Sequence, residues 1–438
     1  MTVLEQLGAQ AARPDLSDRA RQVARLHVVD TVGAWVAGSA TAEGRELTKF
    51  GSTSSDDLST RVATHCALAR LSEIDDIHLV SATTPGALVV PAALTIASAP
   101  GRATTGMLAE AVAAGYGAMT RLGTALNGPS ILYRGIWPTY LTAPFAVAAA
   151  ASRLLGLDEK QAAHALAIAL SLSSPAVGRQ SGPNMSRWLA IGNAARNGLT
   201  AALSAQAGFS GDLRIFEGDF FSSVYGLSPD LASLLDGQPA LGDTSFKPWC
   251  AAKQTMAAAQ ALREIIEEGV PPSTMSNLVV GVPPPTLQMI AHGIVAGERA
   301  SHLTSVSYQM ALVALHPDAT IDVRQTPESV PAEIRDFMAK ISVRADEGLL
   351  RHYPKSWPAH VVVTTASARH EKLVLHVPGD PERTLDESQV SAKFWRLVAP
   401  LVGDHASEEL LRLAFAALDG GGVKALLEAL GRCAAALP

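Results

Sequence analysis

The sequence predicts a mainly α-helical protein with a smaller α/β domain inserted into the helical part. Three observations carry that expectation. Hydrophobic residues make up 48% of the chain and aromatics only 5%, so the apolar content is mostly Ala, Leu and Val, which suits closely packed helices. Apolar residues recur at helical spacing through most of the chain. Runs rich in β-branched residues gather between Gly269 and Gly379, set off by Pro271, Pro272 and Pro283–Pro285. A chain of 438 residues is long for a single core, so two domains are expected. The helical domain covers 1–268 and is completed by 386–438; the α/β domain, a lid, covers 269–385.

The helical pattern opens with ARLHVVDTVGAWVAG (Ala24–Gly38) and continues through Thr104–Gly123, which ends on the glycine usual at a helix stop. Thr142–Asp158 and Glu159–Ser174 read as two consecutive helices. Asn193–Gly211 is another, and its small residues Gly192, Ala194, Ala195 and Gly198 fall at helical spacing, as a close helix–helix approach requires. Cys250–Gly269 closes this half. Asn277–Val282, Ala339–Ala345, Ala359–Ala366 and Glu371–Val377 read as strands, with a helix at Thr304–Leu315 among them. The segments SAKFWRLVAPLV and SEELLRLAFAAL return to helical spacing.

Composition excludes several functions. The formal net charge is −6 and no basic run stands out, so nucleic acid and anionic membranes are not expected partners. Cys66, Cys250 and Cys433 are too far apart in sequence for a disulfide framework or a zinc pattern. The first residues are too polar for a secretory signal, and no run of about 20 apolar residues lacks interruption, so a soluble, cytoplasmic protein is expected.

The densest chemistry lies in SEIDDIHLVSATTPG (Ser72–Gly86), where Glu73, Asp75, Asp76 and His78 precede the apolar run Ala87–Ala99. On a helix, Asp75 and His78 would share a face. Charge beside a core is costly unless it is paired or does chemistry, so these residues are candidate acid–base groups. The plainer alternative is an exposed helix end whose acids cap the next element. Other polar residues sit in connections, where binding groups project from a scaffold. They are Arg134, Trp137 and Tyr140 in LYRGIWPTY, Arg179, Ser181, Asn184 and Arg187 in the next such loop, and Lys247 and Lys253 in SFKPWCAAKQT. Guanidinium groups there suit an anionic ligand. The sequence contains no G-x-S-x-G elbow, no H-E-x-x-H, no C-x-x-C and no Walker spacing, and GYGAMTRLG follows no strand. Acid–base chemistry without a bound cofactor, or binding alone, is left.

The order of these segments resembles the MmgE/PrpD family, which includes 2-methylcitrate dehydratase, cis-aconitate decarboxylase and iminodisuccinate epimerase. The resemblance rests on DTVGAWVAGS (Asp30–Ser39), DDIH (Asp75–His78), TPGALVVPAALTIA (Thr84–Ala97) and GYGAMTRLG (Gly115–Gly123). YRGIWPT (Tyr133–Thr139), FEGDF (Phe216–Phe220), FKPWCAAKQT (Phe246–Thr255), SVSYQMALVAL (Ser305–Leu315) and YPKSWPA (Tyr353–Ala359) extend it over nearly the full length. It implies a helical domain with a smaller α/β lid, usually as a homodimer. It also implies lyase or isomerase chemistry on small acids without metal or organic cofactor, at a site between the domains.

This chain departs from the family where histidines are usual: Thr84, Trp137 and Met256 stand there, and Arg187 stands where lysine is usual. Threonine and tryptophan cannot act as bases, and Arg187 binds an anion but does not readily give up a proton. The resemblance therefore implies a cofactor-independent, dehydratase-like lyase acting by β-elimination on a small anionic substrate other than the family's usual ones. Asp75, His78 and Tyr308 are its candidate catalytic residues, and Asp76, Thr84, Arg134, Trp137, Arg187 and Lys253 its candidate substrate-binding residues. An epimerase or isomerase working through the same carbanion, or a ligand-binding pseudoenzyme, are the alternatives.

Overall fold

The structure, a computed structural model, describes residues 1–13, 16–53, 57–99, 106–174, 184–236, 241–324, 329–419 and 422–437. The protein is mainly α-helical. The described residues divide into two compact units, the first formed by those up to Phe246 together with those from Leu385 onward, the second by those within Lys247–Thr384.

The first unit opens with α1 (Val3–Ala12), α2 (Asp18–Ser39), α3 (Ala42–Ser52) and α4 (Leu58–Leu71), then a two-residue strand β1 (Ile77–His78). α5 (Gly86–Ala97), α6 (Leu108–Ala125), α7 (Gly128–Leu132), α8 (Pro138–Leu154), α9 (Glu159–Ser171) and α10 (Ser186–Gln206) follow. Short helices α11 (Phe220–Tyr225) and α12 (Leu231–Leu235) lead to β2 (Thr244–Ser245), which pairs antiparallel with β1. α8 is the centre of this unit: it packs against α5, α6, α9 and α10, and all but one of its residues are buried. Its Ala-rich sequence makes that possible, since small side chains let several helices approach one axis. α10 meets it most closely at Gly198, where an added Cβ would stand 2.5 Å from the Pro144 carbonyl oxygen; Gly192 plays the same part against α4. The small-residue spacing in the sequence thus marks real helix contacts.

The second unit holds α13 (Lys253–Glu267), β3 (Met275–Val282), α14 (Pro284–Ile290), α15 (Arg299–Thr304), α16 (Val306–Leu315) and α17 (Ala332–Met338), then β4 (Ile341–Ala345), β5 (Ala359–Thr365) and β6 (Arg369–Val374). Its sheet runs in the order β4-β3-β5-β6, with β3 and β4 parallel and the other pairs antiparallel. α13 lies on β5, β6 and α16, and its Met256, Ala259 and Leu262 join the sheet's apolar core. The unit begins at Lys247 and takes in α13. Helical spacing shows that α13 is a helix; it does not show which core receives its apolar face.

The chain returns to the first unit with α18 (Glu387–Val402), α19 (Asp404–Ala416) and α20 (Val423–Ala436). α18 and α19 pack on α2. No helix among the described residues is long and apolar enough to cross a membrane.

Candidate active site

The acid-rich segment lies wholly in the first unit and is not helical. α4 stops at Leu71, and Glu73 turns the chain with φ 58°, so Asp75 and Asp76 occupy the connection into β1 and share no helix face with His78. Neither is it an exposed helix end: both aspartates are 0% exposed. Buried carboxylates need partners, and each has a different set. Arg70, from the last turn of α4, places Nη1 3.3 Å from Asp75 Oδ1 and 3.1 Å from Glu73 Oε2. Burial works against the Arg70 charge, but Asp75 and Glu73 outweigh it and hold the guanidinium above its usual range.

Asp76 is engaged on both oxygens. Oδ1 accepts from the Gly86 N–H at the start of α5 (2.8 Å), and Oδ2 accepts from the Tyr116 hydroxyl of α6 (2.6 Å). His27 Nδ1 of α2 lies 2.9 Å from the same Oδ2. The other ring nitrogen of His27 faces the Leu241 carbonyl at 3.0 Å; a carbonyl only accepts, so Nε2 carries a hydrogen. Burial, with Asp76 next, pushes the Tyr116 phenol well up, so it stays a donor. The expectation that Asp76 binds substrate therefore meets a carboxylate whose oxygens both serve protein donors. It ties together α2, α5 and α6. A second buried pair reinforces the segment: Lys393 of α18 reaches Asp30 of α2 (2.5 Å) and the Ile74 carbonyl (3.0 Å).

His78 sits in a tight turn closed by its own N–H to the Thr83 carbonyl (2.8 Å), with Ala82 at φ 52°. The Ser81 N–H donates to His78 Nδ1 at 3.3 Å, and Ser81 Oγ lies 2.8 Å from it. A backbone N–H can only donate, so Nδ1 keeps its lone pair and Nε2 carries the hydrogen. Burial pushes the His78 pKa down to about 4, against the pull of Asp243 and Asp76, so the ring is neutral near pH 7. Nε2 makes no hydrogen bond to any described residue. His78 thus presents a neutral N–H donor.

Three helices begin around this segment. The Thr84 N–H, just before α5, donates to Thr139 Oγ1 in the first turn of α8 (3.2 Å). Trp137 is the N-cap residue of α8, and the Arg187 guanidinium, from the first turn of α10, lies 4.3 Å over the Trp137 ring and 5.2 Å from that of Trp188. Tyr140 links the two clusters. Its hydroxyl donates to the Arg187 carbonyl (3.1 Å), its ring meets Trp137 edge-on, and its electrostatic neighbours are Arg187, Arg70 and Glu73. Burial raises the Tyr140 phenol, opposed by those two arginines. Helix N-termini carry partial positive charge, so this end of α5, α8 and α10 favours an anion.

The structure thus brings Asp75, Asp76, His78, Thr84, Trp137 and Arg187 into one region of the first unit. Arg134 is exposed and donates to the Tyr225 carbonyl (3.3 Å), on the side of α11. Lys253 and Tyr308 belong to the second unit. Lys253 is buried and ion-paired with Asp380; burial lowers its pKa against the pull of that acid. Tyr308 is pushed up by burial, and its ring meets His302 edge-on at 4.9 Å. Arg179 and Ser181 lie outside the described residues. Sequence reasoning missed Arg70, His27, Tyr116 and Lys393. Arg70 had a local signal, three residues before Glu73 on a helix end; the others meet the segment only through the fold. Among the described residues no group of three His, Cys, Asp or Glu side chains is placed to hold a metal.

Comparison with known proteins agrees with this architecture. The chain is 25% identical over 361 residues to a cis-aconitate decarboxylase from Homo sapiens, covering 75% of this chain and 73% of that protein. Residues 6–227 match the MmgE/PrpD N-terminal domain and residues 249–417 the MmgE/PrpD C-terminal domain. With both domains matched in order, and the buried acid segment inside the first, the chain belongs to the MmgE/PrpD family.

Proposed function

We propose that the protein is a lyase that removes a proton beside a carboxylate of a small anionic substrate and then expels a leaving group by β-elimination. Arg187 holds the substrate carboxylate. Asp75, buried and held 3.3 Å from Arg70 Nη1, takes the proton. The electrons left on carbon pass into the adjacent carboxylate, and the His78 Nε2–H stabilises the oxygen where negative charge grows. The bond to the leaving group then breaks and a carbon–carbon double bond forms. Thr84 and Trp137 line the same region, and Asp76 fixes the segment that carries Asp75 and His78. Independence from metal and organic cofactors, and assembly as a homodimer, belong to the same proposal.

The observation that carries this reading is a contrast between two arginines. Arg70 is neutralised by two acids, whereas the half-buried Arg187 has no carboxylate partner among the described residues. A cation fixed without an anion, close to three helix N-termini, lacks the partner that a substrate acid supplies. The lyase-type relative supports the reaction class.

The test uses a panel of small mono-, di- and tricarboxylic acids in deuterated water, followed by proton NMR. Loss of the proton next to a carboxylate, with a new alkene signal, is the expected result, and Asp75→Asn abolishes both. Exchange without net product assigns an isomerase instead. An Asp75→Asn variant that exchanges at the wild-type rate removes Asp75 from the mechanism.

A further inference from the structure

We propose that Arg187 and Trp137 act as one specificity element, a guanidinium stacked on an indole, that accepts a single carboxylate with an apolar substituent beside it and rejects an aliphatic tricarboxylate. The geometry supplies each part. The guanidinium carbon lies over the Trp137 ring, 4.3 Å from its centre, well within the reach of a cation on an aromatic face. Stacking uses the flat face of guanidinium and leaves the N–H edge in plane, where it grips one carboxylate through two parallel bonds. Two neighbouring residues support the arrangement. Tyr140 meets the indole edge-on with ring centres 5.6 Å apart, and its hydroxyl holds the Arg187 carbonyl. Trp188, the next residue in α10, stands 5.2 Å from the same guanidinium.

This aromatic surround also sets the limit. Trp137, Tyr140 and Trp188 place apolar ring surface around the cation, and a second or third carboxylate set against those rings would lose water to a surface that offers it no ion pair. An alkyl group there is favoured instead. The stack couples the two residues: without the indole the arginine regains its rotamer freedom, and without the guanidinium the indole contributes no grip on the carboxylate.

The inference rests on reading this region as the substrate-anion site, so its test measures binding and leaves turnover aside. Three probes are titrated by NMR into the wild-type protein: acetate for the grip alone, isovalerate for grip plus wall, and tricarballylate as the rejected class. Isovalerate is expected to bind at least tenfold more tightly than tricarballylate. Arg187→Lys, which keeps the charge and loses the fork, weakens acetate about tenfold. Trp137→Leu, which keeps an apolar side chain and loses the stacked ring, weakens it several-fold although no charge is removed. The double variant is no weaker than Arg187→Lys alone. Circular dichroism verifies each fold, and Trp137→Phe, which retains a ring, restores most of the wild-type affinity. Effects of the two substitutions that multiply independently, or tricarballylate binding as tightly as isovalerate, overturn the proposal. Should the coupling hold while no acid is turned over, the lyase reading fails and the stack stands.

Discussion

At the scale of single residues, the site is a set of ionisable groups that the fold holds in one protonation state. His78 is the clearest. Its folded pKa, about 4, lies below the ordinary 6.5, so the unfolded chain binds the proton more readily than the folded one. Stability from this residue is fully present above pH 6.5 and is lost as pH falls from there through 4. At pH 5 the loss is about 2 kcal/mol, from the difference between the two proton affinities. Urea midpoints measured from pH 7.5 to 5 are expected to fall for the wild type and to fall less for His78→Asn, whose amide does not titrate; equal slopes would discount the buried neutral ring. Lys393 and Asp30 make a different case, a buried ion pair. Burial raises the Asp30 pKa and Lys393 opposes it. Lys393→Met strands that carboxylate and is expected to cost about 3–5 kcal/mol, much of it recovered when Asp30→Asn is added, as measured by denaturant unfolding. The sequence showed Asp75, Asp76 and His78 as a local cluster because they are neighbours along the chain. It could not show that His27, Tyr116 and Lys393 complete the cluster, because nothing local distinguishes a histidine in VARLHVVDT or a lysine in SAKFW from ordinary helical residues.

At the scale of elements, the meeting of α5, α8 and α10 depends on how closely the helices pack. The Gly198 position shows the demand: an added Cβ would meet the Pro144 carbonyl oxygen at 2.5 Å and Val147 Cβ at 2.7 Å. Gly198→Ala improves helix propensity by about 1 kcal/mol yet overpacks a backbone that cannot yield, at about 1–3 kcal/mol or more. The expected outcome is a lower melting temperature despite the better helix former, together with weaker acetate binding, because α10 carries Arg187. A variant more stable than wild type would show that the helices can separate there without loss. Element identity was readable wherever apolar residues kept a single period, as in α2, α6, α8 and α9 and in all four strands of the sheet. The acid segment misled because a spacing of three suggests a helix face, whereas α4 stops at Leu71 and Glu73, in a left-handed conformation, turns the chain so that Asp75 lies at a bend. No residue-type rule gives that φ to a glutamate. Its ion pair with Arg70 helps to hold it there.

At the scale of the whole molecule, strands and prolines appear late in the sequence, and helical spacing resumes after them. The finer division depends on cores. The first unit buries its own apolar cluster around Phe145, Leu166 and Ile215, the second a separate one around Met256, Leu278 and Val361. Each unit also buries its own ion pair, Asp30–Lys393 in the first and Lys253–Asp380 in the second. Two cores, each with an internal charge pair, need not unfold in one step, because cooperativity extends only as far as shared burial. Scanning calorimetry is therefore expected to give a measured unfolding enthalpy larger than the van't Hoff value, with two overlapping transitions. Substitutions in the two pairs separate them. Lys393→Met lowers the transition of the first unit, and Lys253→Met, which leaves Asp380 buried without its cation, lowers that of the second. Acetate affinity follows the first transition, since Arg187, Trp137 and Tyr140 all belong to that unit. A single transition with equal enthalpies, moved alike by both substitutions, would mean that the two cores unfold as one.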